Sequence, residues 1–164
     1  MIRQLLFGVC LCLPLWVQAA GVVVGQAAPA VSLPALSTAG EISLESLRGK
    51  VVYVDFWASW CGPCRVSFPQ LEKLRQELGQ GGFEVLAINV DENAADAQKF
   101  LAEVPVSYPV VHDGKGITPQ TFGILGMPTG YLIDRQGIVR EIHQGFRKSD
   151  GDTLRTAIVA LLGE

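Results

Sequence analysis

The chain is poor in charge and in residues that bind metals, with two histidines and four cysteines among 164 residues. Charged residues make up 18% and hydrophobic residues 49%, a balance that excludes a disordered chain. The net charge is −3 and no basic cluster occurs, so no nucleic-acid partner is expected. No NAD or flavin motif is present, and we expect no cofactor. Repeats and linkers are also lacking, which predicts a single domain.

Long hydrophobic runs are lacking too, except near the N-terminus. Arg3 precedes an apolar run over residues 5–17, and Ala19 and Ala20 then supply small side chains for cleavage. The run is shorter than the roughly 17 to 20 residues of a membrane-spanning helix, so it predicts a signal peptide over residues 1–19 and a mature domain over residues 20–164. We therefore expect an exported, periplasmic or extracytoplasmic protein, tethered to the membrane if the signal is not cleaved.

Only two cysteines, Cys61 and Cys64, lie outside the predicted signal peptide. One pair that closes so small a loop adds little stability, so a structural disulfide framework is not expected. Zinc takes four ligands, and besides this pair only His112 and His143 could serve, so no metal site is predicted. The spacing favours a redox pair that cycles between dithiol and disulfide. Binding of Cu(I) by the two thiolates remains the alternative, which metal titration of the reduced protein would test.

The hydrophobic pattern alternates between strand-like and helix-like segments, as in an α/β fold. It predicts a β-hairpin between residues 25 and 49, a central buried strand over 51–56, and a helix over 63–78. Further strands are predicted over 83–90, 108–111, 129–134 and 138–143, a helix over 93–103, a loop between 112 and 128, and a last helix capped by Ser149 with Asp152.

Cys61 lies where the central strand gives way to the first helix. A thiol at a helix N-terminus faces unpaired N–H groups and the positive end of the helix dipole, which favour the thiolate. Cys61 is therefore predicted to attack a disulfide, and Cys64 to resolve the resulting mixed disulfide. Asp55 ends the same apolar strand, where burial would raise its pKa, unless it is a surface or capping residue.

Residues 54–64, Val-Asp-Phe-Trp-Ala-Ser-Trp-Cys-Gly-Pro-Cys, resemble the active-site segment of the thioredoxin superfamily. Pro69 resembles the proline that kinks its first helix, and residues 126–129, Gly-Met-Pro-Thr, resemble the segment with its cis-proline. Together with the export signal, three further features resemble exported TlpA/ResA-like thiol-disulfide oxidoreductases. They are the N-terminal segment with Leu-Arg-Gly-Lys at residues 47–50, the inserted helix and strand between Asp91 and Val111, and Tyr-Leu-Ile-Asp at residues 131–134. The resemblance implies a thioredoxin-like fold, with a central mixed β-sheet flanked by helices.

The resemblance also implies roles for individual residues near the cysteines. Asp55 matches the buried acid of thioredoxin and would exchange a proton with Cys64. Pro128 would follow a cis peptide bond, and the backbone of Met127 would pair with an extended client strand. Glu92 resembles an acidic residue near the active site of the ResA-like branch, or else serves only as a helix cap.

Four further residues are assigned to the client-binding surface or its surroundings. Trp57 and Trp60 are expected to divide between the core and the docking surface. Gly62 and Pro63 lie between the cysteines, and their similarity to thioredoxin implies a reducing couple, toward about −270 mV rather than the roughly −120 mV of a strong oxidant.

The implied activity is reduction of protein disulfides outside the cytoplasm by a monomeric protein. Apocytochrome c is one candidate client, and a thiol transporter in the membrane would supply electrons. A thiol peroxidase would need Thr or Ser three residues before its reactive cysteine and a nearby proline, but Ala58 and Val54 occupy the corresponding places. That activity is therefore disfavoured.

Overall fold

The computed structural model describes residues 21–164 and confirms the predicted α/β fold. The strands are β1 Ser32–Pro34, β2 Glu41–Ser43, β3 Val51–Trp57, β4 Phe83–Asn89, β5 Val110–His112, β6 Thr129–Ile133 and β7 Val139–Gln144. The helices are α1 Cys64–Leu78, α2 Ala94–Glu103, α3 Ile117–Phe122 and α4 Asp150–Leu162, and single 3-10 turns cover Glu45–Leu47 and Gly79–Gly81.

A five-stranded mixed sheet forms the centre, in the order β5-β4-β3-β6-β7. β3 runs parallel to β4 and antiparallel to β6, while β4 runs parallel to β5. All seven residues of β3 and of β4 are buried, which explains their mostly apolar sequences. The carboxyl end of β3 therefore lies in the middle of the sheet, where it leads into the cysteines.

Each face of the sheet carries its own hydrophobic core. Tyr53 and Trp57 of β3 face a core shared with α1, α2 and α4. Val54 and Phe56 face the other core, which includes Phe122 of α3 and residues of the N-terminal segment. Because side chains alternate along a strand, Asp55 points into the first core, on the side of α1.

The predicted N-terminal hairpin is present as β1 and β2, a two-stranded antiparallel sheet. The chain just after β1 joins the main sheet at its edge, where Leu36 N–H donates to the carbonyl of Val110 (2.9 Å) and Ala35 forms a bridge to Val111. These bonds cover the outer edge of β5.

Gly130 is a position where the fold requires glycine. It pairs with Asp55 across β3 and β6, and a Cβ atom there would collide with the Tyr53 hydroxyl. The absence of a side chain makes room for the Tyr53 ring on the face that carries the active-site residues.

Two details differ from the sequence predictions. α3 occupies part of the segment expected to be a loop; Asp113 accepts from the Thr118 N–H (2.7 Å) and from its hydroxyl (2.6 Å) at the start of this helix. Ser149 makes no capping hydrogen bond, so its predicted pairing with Asp152 is wrong. Asp150 accepts the N–H of Arg147 (2.7 Å) instead and thereby fixes the turn before α4.

Within residues 21–164, no helix has both the length and the apolar character needed to cross a membrane. The predicted signal peptide lies outside the described residues.

Candidate active site

Cys61 and Cys64 form a disulfide, with their Cα atoms 5.4 Å apart. The bond lies in the turn between the end of β3 and the start of α1. It connects the centre of the sheet to the first turn of the helix that packs on it.

The first turn of α1 extends back to Cys61. Cys64 N–H donates to the carbonyl of Cys61 (3.2 Å), and Arg65 N–H donates to that of Gly62 (3.1 Å). The Cys61 sulfur therefore lies at the positive end of the helix dipole, as the sequence indicated. This location favours a thiolate at Cys61 once the disulfide is reduced.

The two cysteine residues differ in their exposure to solvent. Cys64 is fully buried, whereas Cys61 keeps 4% of its surface exposed and follows Trp60, which is 68% exposed. Trp57 is fully buried, so the two tryptophans divide between core and surface. Gly62 and Pro63 are also exposed. A client disulfide can approach from the side of Cys61, not from that of Cys64.

Asp55 is a fully buried carboxyl group in the sheet beneath α1. Neither carboxyl oxygen has a hydrogen-bond partner among residues 21–164, and its neighbours across the strands, Ala87 and Gly130, offer no polar side chain. Burial raises its pKa to about 8, the direction expected from the sequence, and the nearby Ser67 hydroxyl acts in the opposite direction. The reading of Asp55 as a surface or capping residue is therefore wrong.

Ser67 is a buried residue that the sequence analysis did not single out. Its hydroxyl donates to the carbonyl of Cys64 (3.2 Å) and also acts on the pKa of Asp55. Ser67 therefore lies between Asp55 and the backbone of Cys64. The sequence does contain a sign of this position: Ser67 is a small polar residue on the inward face of the predicted helix, one helical turn after Cys64.

Asp91 holds the loop that leads to the disulfide, and the sequence analysis missed this role as well. Its buried carboxylate accepts the Ser59 N–H (3.0 Å), the Ser59 hydroxyl (3.0 Å) and the side-chain amide of Asn89 (2.8 Å). Glu92, the acid chosen from the sequence, is exposed. The cap of α2 is Asn93, whose side chain accepts the Ala95 N–H (3.0 Å), so Glu92 is not the cap.

The Met127–Pro128 peptide bond is cis, as expected. The Pro128 carbonyl accepts the Gly145 N–H (2.8 Å), whereas Met127 makes no backbone hydrogen bond within residues 21–164. A cleft of about 260 Å³ opens here between the loop before β6 and Gly145, and Leu125 beside it is 93% exposed. An extended peptide could therefore pair with the Met127 backbone.

Among the described residues, no group of three or more His, Cys, Asp or Glu side chains is arranged to hold a metal ion. The chemistry that the arrangement offers is that of two neighbouring sulfurs, a buried acid with a raised pKa and an open peptide backbone.

Comparison with known proteins places this site in a family. The sequence matches the Redoxin family over residues 23–158. The chain belongs to the Redoxin family. It is a TlpA/ResA-like member of the thioredoxin superfamily.

Two curated relatives illustrate the similarity of this Redoxin-family chain. It is 35% identical over 125 residues to "Thiol-disulfide oxidoreductase ResA" of Oceanobacillus iheyensis, covering 74% of this chain and 65% of that protein. It is 36% identical over 129 residues to "Thioredoxin-like protein YneN" of Bacillus subtilis, covering 76% of this chain and 74% of that protein. The chain thus spans about two thirds to three quarters of these relatives.

A solved structure also superimposes closely on the Redoxin-family chain. A crystal structure described as a thiol:disulfide interchange protein DsbE from Chlorobium tepidum matches with a TM-score of 0.84 and 46% identity. The match covers 87% of this chain and the whole of that one. This agreement confirms the thioredoxin-like fold expected from the sequence.

Proposed function

We propose that this chain is a thiol-disulfide oxidoreductase that reduces protein disulfides. The observation that carries the proposal is the Cys61–Cys64 disulfide, placed between β3 and α1 with the buried acid Asp55 beneath it. The names of the ResA and DsbE relatives agree with this activity.

The cycle begins when the Cys61 thiolate attacks one sulfur of a client disulfide. A bond forms between Cys61 and that sulfur, and the second client sulfur leaves as a thiolate. Cys61 takes this step because it is the more exposed of the two cysteine residues and lies at the positive end of α1.

Cys64 completes the cycle by attacking Cys61. Its thiol first gives up a proton, which the Asp55 carboxylate accepts, and its sulfur then forms the Cys61–Cys64 bond. The first client sulfur leaves as a thiolate, so two electrons pass to the client and the protein becomes oxidised. Asp55 suits this role because its pKa of about 8 is close to the ordinary thiol value of about 8.5.

The client binds as an extended segment beside Pro128 and pairs with the Met127 backbone. The free backbone groups of Met127 and the exposed side chains of Trp60 and Leu125 support this placement. Gly62 and Pro63 complete the surface next to the disulfide. Glu92 remains a proposed acidic residue at the edge of this region.

The finer assignments rest on similarity to exported relatives. The protein acts outside the cytoplasm as a monomer, after removal of residues 1–19 or tethered by them. A thiol transporter in the membrane re-reduces it, and oxidised apocytochrome c is a candidate client.

A trapping experiment tests the proposal. Cys64→Ser should leave Cys61 able to attack but unable to be released, so a client accumulates as a mixed disulfide. Cys61→Ser is the matched control and should trap nothing. The products are separated on non-reducing gels and identified by mass spectrometry. If neither variant captures a client in cells that contain exported disulfide proteins, the reductase assignment is wrong.

A further inference from the structure

A second buried polar side chain lies in the same core as Asp55, and the proposed mechanism does not use it. Four buried side-chain atoms have no hydrogen-bond partner among residues 21–164: both carboxyl oxygens of Asp55, Trp57 Nε1 and Tyr108 Oη. Buried polar groups are nearly always paired, either with protein or with an internal water. The Tyr108 hydroxyl therefore needs a partner, and the Asp55 carboxyl group can accept a donor besides the nearby Ser67 hydroxyl.

The sheet brings Tyr108 toward Asp55. Asp55 on β3 pairs with Ala87 on β4, and Ala87 in turn pairs with Val110 on β5. Tyr108 precedes β5 by two residues, is 3% exposed, and belongs to the core on the α1 side of the sheet. Ala87 between them carries only a methyl group, so no bulky side chain at that position separates Asp55 from Tyr108.

Contacts from α1 fix the position of the Tyr108 ring. Its centroid lies 5.9 Å from that of Phe68, in an edge-on arrangement. Phe68 belongs to the same turn of α1 as Ser67, whose hydroxyl acts on the pKa of Asp55. The Tyr108 ring is thereby held on the face of the sheet into which Asp55 points.

The electrostatics agree with this proximity. Burial raises the pKa of Tyr108 well above its usual value, and the next largest contribution comes from the charge of Asp55, followed by that of Glu72. The Tyr108 hydroxyl therefore stays protonated and can only donate its hydrogen toward an ionised Asp55.

Few other titratable groups face Asp55. Tyr53 of β3 is close enough for Asp55 to raise its pKa, and Asp150 and Glu141 contribute to the same rise. Ser67 acts on it from α1, where Cys64 lies one helical turn earlier. No positively charged side chain of residues 21–164 contributes to the pKa of Asp55, and the Ser67 hydroxyl is the one hydrogen-bond donor among these residues that lowers it.

We propose that Tyr108 is a positioning residue for Asp55: its hydroxyl donates, through one internal water, to the Asp55 carboxylate and so helps Asp55 to ionise. A water fits this role because the two groups share no direct hydrogen bond, and one water can accept from Tyr108 while it donates to Asp55. The inference rests on the proposed function, in which the ionised Asp55 accepts the Cys64 proton. Tyr108 itself keeps its proton throughout.

Tyr108→Phe tests the inference, with Tyr131→Phe as the matched control. Tyr131 is also buried, but it lies in the other core, where its hydroxyl donates to the Phe122 carbonyl (3.0 Å). Both variants lose one buried hydroxyl, so both can lose stability. Only Tyr108→Phe should change the titration of Asp55.

The first measurement is the titration of the Asp55 carboxyl carbon by NMR in the disulfide form of the protein. Loss of a hydrogen bond to an ionised group should raise the midpoint by roughly one pH unit in Tyr108→Phe. Tyr131→Phe should titrate like the unsubstituted protein. An unchanged midpoint in Tyr108→Phe, or an equal rise in both variants, would overturn the inference.

The second measurement follows the resolving step. Reduced protein is mixed with 5,5′-dithiobis(2-nitrobenzoate), and the second release of thionitrobenzoate reports attack by Cys64. In Tyr108→Phe the rate at pH 7 should fall roughly tenfold, and the pH profile should move upward by about one unit. A profile that does not move would contradict the inference.

Asp55→Asn separates the two proposals in the same assay. If this variant leaves the pH profile unchanged, the proton-transfer role of Asp55 fails, and the role of Tyr108 fails with it. If Asp55→Asn abolishes the pH dependence while Tyr108→Phe behaves like the unsubstituted protein, only the role of Tyr108 fails.

A crystal structure of the unsubstituted protein supplies a test that needs no variant. It should place a water within about 3.2 Å of both Tyr108 Oη and an Asp55 carboxyl oxygen. A well-ordered structure with no water at that point would overturn the inference even if Tyr108→Phe did not fold.

Discussion

Replacing Asp55 with Asn should stabilise the fold by an amount that grows with pH. Asp55 has a pKa of about 8 in the folded protein, against an ordinary value of 3.8. Between these two values the unfolded chain has lost the Asp55 proton while the folded chain still holds it. The folded state therefore binds more protons, and its free energy of unfolding falls as the pH rises. Asn cannot ionise, so the variant lacks this loss.

The size of the effect follows from the same two values. Each pH unit in this window should cost the unsubstituted protein up to about 1.4 kcal/mol relative to Asp55→Asn. The window spans about four pH units, so the difference should reach an upper limit of roughly 6 kcal/mol near pH 8 and then stay constant. Below about pH 4 the two proteins should differ only by the fixed cost of packing an amide in place of a carboxylic acid.

Urea unfolding of the disulfide forms at half-unit steps from pH 4 to pH 9 measures this difference. Asp134→Asn is a control of opposite sign. Burial alone would raise the pKa of Asp134. The pKa is lowered instead, because the Ile138 and Gln136 N–H groups and the Arg140 side chain donate hydrogen bonds to the carboxylate. Asp134→Asn should therefore destabilise the protein at neutral pH and lose that effect in acid. A stability difference for Asp55→Asn that is flat from pH 4 to pH 8 would refute the reasoning.

Three further substitutions have expected outcomes. Trp60→Ala should raise the KM for a protein disulfide and leave the melting temperature unchanged, because the ring is exposed; an unchanged KM would remove Trp60 from the docking surface. Asp91→Asn should lower the free energy of unfolding by roughly 1–3 kcal/mol in urea and slow disulfide reduction, because it weakens the hydrogen bonds to Ser59; full activity would show that reduction does not need these hydrogen bonds. Gly130→Ala should lower the melting temperature sharply, because the new methyl group collides with Tyr53; a normal melting curve would contradict the packing described for this position.

The sequence predicted the central strands and the main helices because their patterns are strong. β3 and β4 are buried on both faces, so their sequences are mostly apolar, apart from Asp55 in β3 and Glu84 and Asn89 in β4. α3 was missed because it has only six residues and contains Pro119, so no helical period can be read from it. The Ser149 cap was wrongly predicted because several neighbouring polar side chains could accept a backbone N–H at this turn. The Asp150 carboxylate does so, from Arg147.

The sequence predicted those residues of the candidate site that lie close to one another along the chain. Asp55, Cys61 and Cys64 belong to one segment, so a single motif identifies all three. Asp91 and Tyr108 reach this region only through the order of strands in the sheet, which periodicity does not reveal. Choosing Glu92 over its neighbour Asp91 depended on resemblance, whereas the structure has Asp91 buried and bonded to the active-site loop.

The unequal burial of the two sulfurs also bears on chemical damage. Peroxide oxidises exposed thiolates first, so in the reduced protein the reaction begins at Cys61 and spares Cys64, which has no exposed surface. A sulfenic acid on Cys61 would have Cys64 beside it, at the 5.4 Å Cα separation of the disulfide. Condensation of the two then expels water and restores the disulfide before sulfinic acid forms. The geometry that resolves a mixed disulfide thus also protects the reactive sulfur from irreversible overoxidation.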